Sequence, residues 1–446
     1  MSGTTIRRVL FFGPLILFVV VPSIVLGDDS SDSFVVPTGF PHSRVYCPPC
    51  PCPVPAPSAE QAPSPPAAGQ QPSPAAKTPG TAAPSAAAPE AAVSQLSPND
   101  LGRGEAVASA AQSFAPTMIG DFFAGGGGGR LFLTYNSSNN AVPNPSPGAF
   151  VPTFKMAENT SPLPQDRIYF DYSDYSDVPL SSPGISVNSF TPGFEKTFFD
   201  GLMSFELRVP MAESLSHVVY TGGAPTGDTA QIGDVAFAIK GLLFRRDTFA
   251  LSGGLAMSVP TAGGTSVSSL PIDPSPYLIF THESTHLMPF LGTLWTPNES
   301  LFAISYLQVD VDVNGDLVSY SPTPLTPFAP VGRYRDQTFM YIDTSIGYWL
   351  FRDEERGRLV TGFAPVFEVH VNQSLEPSHV LAVPGSDVKV GGNAGGIPSN
   401  ISIVDLTAGF DTKLGKNAML TTAYCVPVTT DRCFDGQLRV FFNYFF

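Results

Sequence analysis

The last eleven residues, Gly436-Gln-Leu-Arg-Val-Phe-Phe-Asn-Tyr-Phe-Phe446, set Leu438, Val440, Phe442, Tyr444 and Phe446 at alternate positions. Side chains two apart share one face of a β-strand, so this stretch is a strand with one wholly apolar face. The same split recurs upstream. Val235, Phe237 and Ile239 oppose Ala236, Ala238 and Lys240; after a turn at Arg245-Arg246-Asp247, Phe249, Leu251, Leu255, Met257 and Val259 oppose Ser252, Gly254, Ala256 and Ser258. Met203, Phe205, Leu207 and Val209 oppose Ser204, Glu206 and Arg208, while Phe367, Val369 and Val371 oppose Glu368, His370 and Asn372. Val404, Leu406, Ala408 and Phe410 oppose Asp405, Thr407 and Asp411. From about residue 130 onward the chain reads as all-β. Only 14% of residues are charged against 43% hydrophobic, and 23 Lys+Arg against 38 Asp+Glu give a net charge of −15. That balance excludes a nucleic-acid binder, which needs clustered cations to neutralise phosphate.

Alternation leaves open which face is buried. A soluble sandwich packs the apolar face inward, whereas a membrane barrel turns it to lipid and lines a lumen with the polar one. Three features favour the barrel. The aromatic residue ending an alternating strand, with Phe442, Tyr444 and Phe446 on one face, resembles the C-terminal assembly signal of bacterial outer-membrane barrels. Aromatics recur near candidate strand ends, at Tyr169, Phe170, Tyr172, Tyr175, Tyr341, Tyr348 and Trp349, as interfacial girdles require. The polar faces carry charges of both signs, which a lumen can hydrate. Glu206, Arg208, Lys240, Asp343, Glu368, His370, Asp405, Asp411, Arg439 and Asn443 are therefore the candidate lumen-lining residues. Thirteen runs qualify as strands: 131–136, 167–176, 194–209, 233–245, 248–260, 276–282, 287–295, 300–313, 337–351, 358–372, 401–413, 416–425 and 436–446. A single-chain bacterial barrel has an even number, so the expectation is an antiparallel transmembrane β-barrel of about twelve strands, with 131–136 assigned to an inner plug.

Ahead of the barrel the composition changes twice. Residues 1–27 read as a secretory signal, with Arg7 and Arg8 before an apolar run that ends at Val25-Leu26-Gly27. Residues 28–100 form a disordered Pro/Ala-rich periplasmic linker that cannot build a core. Residues 101–129 combine a short Ala-rich helix, the apolar patch Pro116–Phe123 and five consecutive glycines, Gly125 to Gly129, as a plug on a flexible hinge. The barrel is then 130–446.

Motifs that could carry chemistry are few. His282-Glu-Ser-Thr-His286 matches the H-E-x-x-H of zinc metalloproteases, making His282, Glu283 and His286 weak metal candidates. That site needs a helix, and the flanking strands with Pro289 close behind favour a polar tip between strands. Asp310-Val-Asp-Val-Asn-Gly-Asp316 starts like a calcium loop, but its twelfth position is Ser321, and an Asn314-Gly315 hairpin is the simpler reading. His370 with Glu368 could form an acid/base pair, although a lumen His is more often simply hydrated. Cys425 and Cys433 flank a loop and are a disulfide candidate in an exported protein. Cys47, Cys50 and Cys52 lie in the Pro-rich linker without a fourth metal ligand, and redox-labile or intermolecular pairing is the reading for them. Neither a Walker motif nor a Gly-x-Ser-x-Gly motif occurs, so no cofactor is expected.

The stretches Asp166–Tyr172, Phe194–Gly201, Ser204–Pro210, Gly233–Lys240 and Leu291–Pro297 resemble a planctomycete-type family of exported barrels. More distantly the chain is similar to phenol meta-pathway and fatty-acid-transporter-like barrels. The likeness covers roughly 116–446. It implies an outer-membrane protein in contact with lipid and with the barrel-assembly machinery, and non-enzymatic passage of small solutes, hydrophobic ones among them. An acidic lumen would favour cations and neutral solutes over anions. Two alternatives stand beside this reading: an envelope barrel tethered to the cell wall by the Pro-rich arm, and an H-E-x-x-H metalloprotease.

Overall fold

A computed structural model describes residues 116–446 apart from 122–129, 135–140, 144–153, 179–183, 216, 221–228, 271–272, 324, 354–357, 387 and 393–396. The signal, the Pro-rich linker with its three cysteines, the Ala-rich helix and the glycine run lie outside the described residues.

Twelve antiparallel strands pair in sequence and close on themselves: β1 (Arg167–Val178), β2 (Ile185–Phe198), β3 (Met203–Arg208), β4 (Val235–Arg246), β5 (Phe249–Val259), β6 (His286–Trp295), β7 (Leu301–Asp312), β8 (Phe339–Tyr348), β9 (Val360–Ser374), β10 (Ser402–Leu414), β11 (Ala418–Pro427) and β12 (Gly436–Phe445). β12 pairs with β1 from Gly436↔Ser176 to Phe445↔Arg167, so no sheet edge is left along this seam. The chain is a closed transmembrane-type β-barrel. Tight connections at 199–202, 247–248, 296–300 and 415–417 mark one end, and excursions such as 209–234, 260–285, 313–338 and 375–401 mark the other. Outer-membrane barrels keep short turns on the periplasmic side and long loops outside.

The alternation resolves as polar inward and apolar outward. Ile239, Leu255, Leu291, Leu307, Ile346, Phe367, Phe410 and Phe442 are exposed on the outer face, while Lys240, Ser252, Asp343, Glu368 and Arg439 are buried. Outward aromatics Phe199, Phe244, Trp295, Tyr348, Tyr444 and Phe446 gather at the short-turn end as a girdle. Of the seven aromatics expected there, Tyr169, Tyr175, Tyr341 and Trp349 are instead buried inside, because their positions in the period are inward ones; Phe170 and Tyr348 face out.

The strand count is twelve, with different members from those expected. The run 194–209 is two strands, β3 and the end of β2, folded back at Phe199-Asp200-Gly201, where φ is +52°, +54° and +78°. The first half of β2 had no strand signal because Pro192-Gly193 interrupts it. Pro192 falls where the neighbour changes from Met211–Leu215 to β3, so its missing N–H breaks no ladder there. Gly193 lets the Tyr169 ring lie against the strand, since a Cβ would sit 2.3 Å from the ring carbon Cζ.

The run 276–282 is not a barrel strand. Asp273–Thr281 belongs to a five-stranded sheet with Val218–Tyr220, Thr265–Leu270, Asp316–Tyr320 and Ala329–Tyr334 at the long-loop end. The run 131–136 is not part of a plug either: Arg130–Thr134 pairs with Ala141–Pro143 and with Lys389–Gly391, which pairs with Val380–Ala382 in the 375–401 excursion. Nor does Asn314-Gly315 close a simple hairpin. It is the point where the long antiparallel pair of β6 and β7 leaves the barrel and continues as Asp273–Thr281 against Asp316–Tyr320.

Candidate functional site

Two segments that precede β1 run through the barrel. Residues 116–121 and 154–166 lie antiparallel, joined by Met118 N donating to Thr160 O at 2.9 Å, and Met118, Ile119, Lys155, Met156 and Asn159 are fully buried. Neither shows period two, as fits chain surrounded on all sides by a barrel wall. The apolar patch at Pro116–Phe123 foreshadowed the first segment; nothing in the pattern of 154–166 marked the second.

The wall holds these segments through the residues that stood out in the sequence, all ten of which are buried. The Glu368 carboxylate accepts from Ile119 N and Gly120 N, both at 2.8 Å. Lys155 Nζ binds Asp121, Asp343 Oδ1 at 2.7 Å and Asn372 Oδ1 at 2.8 Å. Gln308 copies a strand partner, accepting from Met156 N and donating to Phe154 O, each at 2.7 Å. Lys240 Nζ donates to Ser161 O at 2.7 Å and pairs with Glu195 at 2.8 Å. Arg208 Nη2 donates to Glu158 O and Thr160 Oγ1 at 2.7 Å, and Arg439 pairs with the Glu158 carboxylate. Asn443 donates to Asn159 Oδ1 at 2.9 Å.

The other members act one step back. Glu206 accepts from Tyr169 OH at 2.6 Å and Arg208 Nε at 2.9 Å, Asp405 accepts from Asn372 at 3.3 Å, and Asp411 accepts from Thr421 Oγ1 at 2.6 Å. His370 sits between Asp343 at 2.9 Å and Glu368 at 3.3 Å. Opposite charges interleaved like this compensate burial that each would not tolerate alone. Sequence reasoning missed Arg167, which binds Glu195, Glu206, Asn159 O and Asn443 at the foot of β1, because it opens the strand and its next inward neighbour is the aromatic Tyr169.

The metal candidates resolve by geometry. Residues 282–285 are an extended link, so the two histidines are not one helical turn apart. His282 contacts Asp234 at 2.8 Å and Asp316 at 3.1 Å, Glu283 pairs with Arg333 at 2.5 Å, and His286 turns into the barrel to Asp310 at 2.7 Å. The three side chains have three different sets of partners. Burial alone would push the His282 imidazolium down, but hydrogen bonds to Asp234 and Asp316 outweigh it and hold its pKa up at about 10. Ligand atoms of Asp121, Asp343 and His370 fall within 4.8 Å of one another. Lys155 Nζ lies on both of those carboxylates, so an ammonium already supplies the positive charge a metal would bring. In the calcium-like loop, Asp312 Oδ1 accepts from Asn314 N at 3.2 Å and Gly315 N at 2.8 Å, the work of a turn. The Cys425–Cys433 disulfide is not formed: Cys425 is a free thiol, and both cysteines are buried in an apolar cluster with Tyr175, Val187 and Phe434, serving as small apolar side chains.

No protein-family model and no curated protein matches the chain. Among solved structures, an outer-membrane channel from Pseudomonas putida F1 matches at 9% identity and TM-score 0.39, covering 64% of this chain and 97% of that one. The β domain of the Bordetella autotransporter BrkA matches at 13% identity and TM-score 0.39, over 63% and 99%. The Pseudomonas putida toluene transporter TodX matches at 8% identity and TM-score 0.34, over 74% and 98%. At these low scores and identities the likenesses carry no cargo or partner over to the present chain.

Proposed function

We propose that this chain is an outer-membrane channel for small solutes, narrowed by its own residues 116–121 and 154–166 acting as a plug. The carrying observation is a closed twelve-stranded wall, apolar outside, whose charged inner face grips the plug through Glu368, Lys240, Asp343, Arg208 and Arg439. Its work is passage rather than catalysis, and it uses no cofactor. Export by the signal at 1–27, insertion by the barrel-assembly machinery through Phe442, Tyr444 and Phe446, and membership of the planctomycete-type exported family belong to the same proposal. Small solutes, hydrophobic ones among them, are the cargo classes to test.

One observation favours a second role for the arm. Residues 154–166 descend to β1 at the short-turn end, so the antiparallel segment 116–121 ascends from that end. Residue 116 then lies toward the short-turn end, and a Pro/Ala-rich linker at 28–100 that reaches the cell wall is the second reading to test.

The test is purified full-length chain in planar bilayers. A small steady conductance is expected, rising several-fold in Glu368→Ala. A barrel that resists detergent until boiled yet conducts in neither form overturns the channel reading. Co-sedimentation with cell-wall material that depends on residues 48–98 would then support the tether.

A further inference from the structure

We infer that the water-bearing path through the barrel follows one wall, formed by β10, β11, β12 and β1, and that this wall suits neutral polyhydroxyl solutes. The inference rests on the channel reading above and names the cargo class for it.

Strand register stacks three inward rows on that wall. Thr407, Cys425, Gln437 and Tyr175 form the first, Gly409, Ala423, Arg439 and Ser173 the second, and Asp411, Thr421, Phe441 and Asp171 the third. In the middle row every side chain but Arg439 is small. On these rows Asp171 Oδ2, Asp411 Oδ2, both amide atoms of Gln437, and Nε and Nη1 of Arg439 have no hydrogen-bond partner among the described residues. All four residues are at most 3% exposed. An unpaired buried polar group costs about 1–3 kcal/mol, so several on one wall mark a surface that solvent or solute must meet.

The wall across the barrel is more apolar. Met288, Phe290, Leu294, Phe302 and Ile304 of β6 and β7 pack with Met118, Ile119, Met156 and Leu163 of the plug in a cluster that reaches Ala423 and Phe441, and the unpaired buried polar atoms on that side are the hydroxyls of Ser258 and Tyr306. An apolar solute therefore finds its natural surface already covered. The polar wall offers acceptors from Asp171 and Asp411, donors from Arg439, and one of each from Gln437. Hydroxyl groups, which donate and accept at once, answer that mixture best. The Arg439 charge is already balanced by Glu158, which leaves no surplus cation to hold an anion.

The test is liposome swelling with full-length protein and glucose. Ala423→Phe and Ser173→Leu, which fill the polar wall, should each slow glucose entry at least fivefold, whereas Ile304→Phe on the apolar wall should stay within twofold of the wild type. Glucose should enter faster than gluconate of similar size. Heat-modifiable mobility confirms that each variant is folded. If the wild type passes glucose and both polar-wall variants pass it equally well, the path is elsewhere and the channel reading survives. If gluconate enters as fast as glucose, the neutral cargo class falls. If the folded wild type passes nothing, the channel reading fails and this inference goes with it.

Discussion

Glu368 neutralises two adjacent backbone N–H groups with one buried carboxylate, at a place where Gly120 has φ +83° and a Cβ would stand 2.8 Å from Glu158 Cα. Charge-assisted bonds of this kind are worth about 1.5–3 kcal/mol each. In Glu368→Ala, hydrogen exchange at Ile119 and Gly120 should quicken by about a hundredfold, while amides in β9 stay protected; equal protection of 119 and 120 would show the carboxylate to be dispensable. His282 gives a pH prediction. Its pKa is raised from 6.5 to about 10 by Asp234 and Asp316, so the folded form binds the proton more tightly than the unfolded chain. The stabilisation is complete below about pH 6.5 and fades as pH rises through about 10. Protease cleavage within 260–285 should therefore increase between pH 8 and pH 10.5 in the wild type and be pH-independent over that range in His282→Gln. At this scale the sequence was most legible. The ten polar residues picked from alternation are inward and buried, yet what they touch was hidden, because a partner more than two hundred residues away, as Ile119 is from Glu368, leaves no local trace.

The strands carry the membrane argument. Phe367 faces outward beside inward Glu368, at 46% exposure. Phe367→Arg puts a cation on the lipid side at mid-strand and should destabilise the barrel by about 2–4 kcal/mol in a lipid bilayer, read from urea unfolding in vesicles. An unchanged midpoint would mean that this face does not meet lipid. Period two made β4, β5, β9, β10 and β12 readable at nearly their true bounds. It failed where two strands meet at a tight turn: the outward phase is even at Phe194 and Phe198 but odd from Met203 to Val209, and that change of phase with the Asp200-Gly201 pair was the turn signal to heed. It failed again for Asp273–Thr281, since alternation marks a strand without saying which of two sheets it joins.

Across the whole molecule, the barrel and the Pro/Ala-rich linker read as separable parts by composition. Deleting residues 48–98 should leave heat-modifiable mobility and bilayer conductance unchanged, and a lost barrel would show that the linker assists folding. The sequence reading correctly set a polar lumen inside an apolar cylinder of about twelve strands, but a polar lining is compatible with an empty bore or a filled one. Only the three-dimensional register of Gln308, Lys240 and Glu368 against chain that enters before β1 distinguishes them.

The small sheet formed by Arg130–Thr134, Ala141–Pro143, Lys389–Gly391 and Val380–Ala382 sits at the opposite mouth from the point where the chain enters the bore and where it rejoins β1. It works like the bar of a toggle passed through a ring. The threaded chain cannot be drawn back toward the short-turn end until that bar comes apart, so the cylinder must either zip up around it or let it pass unfolded and knit afterwards.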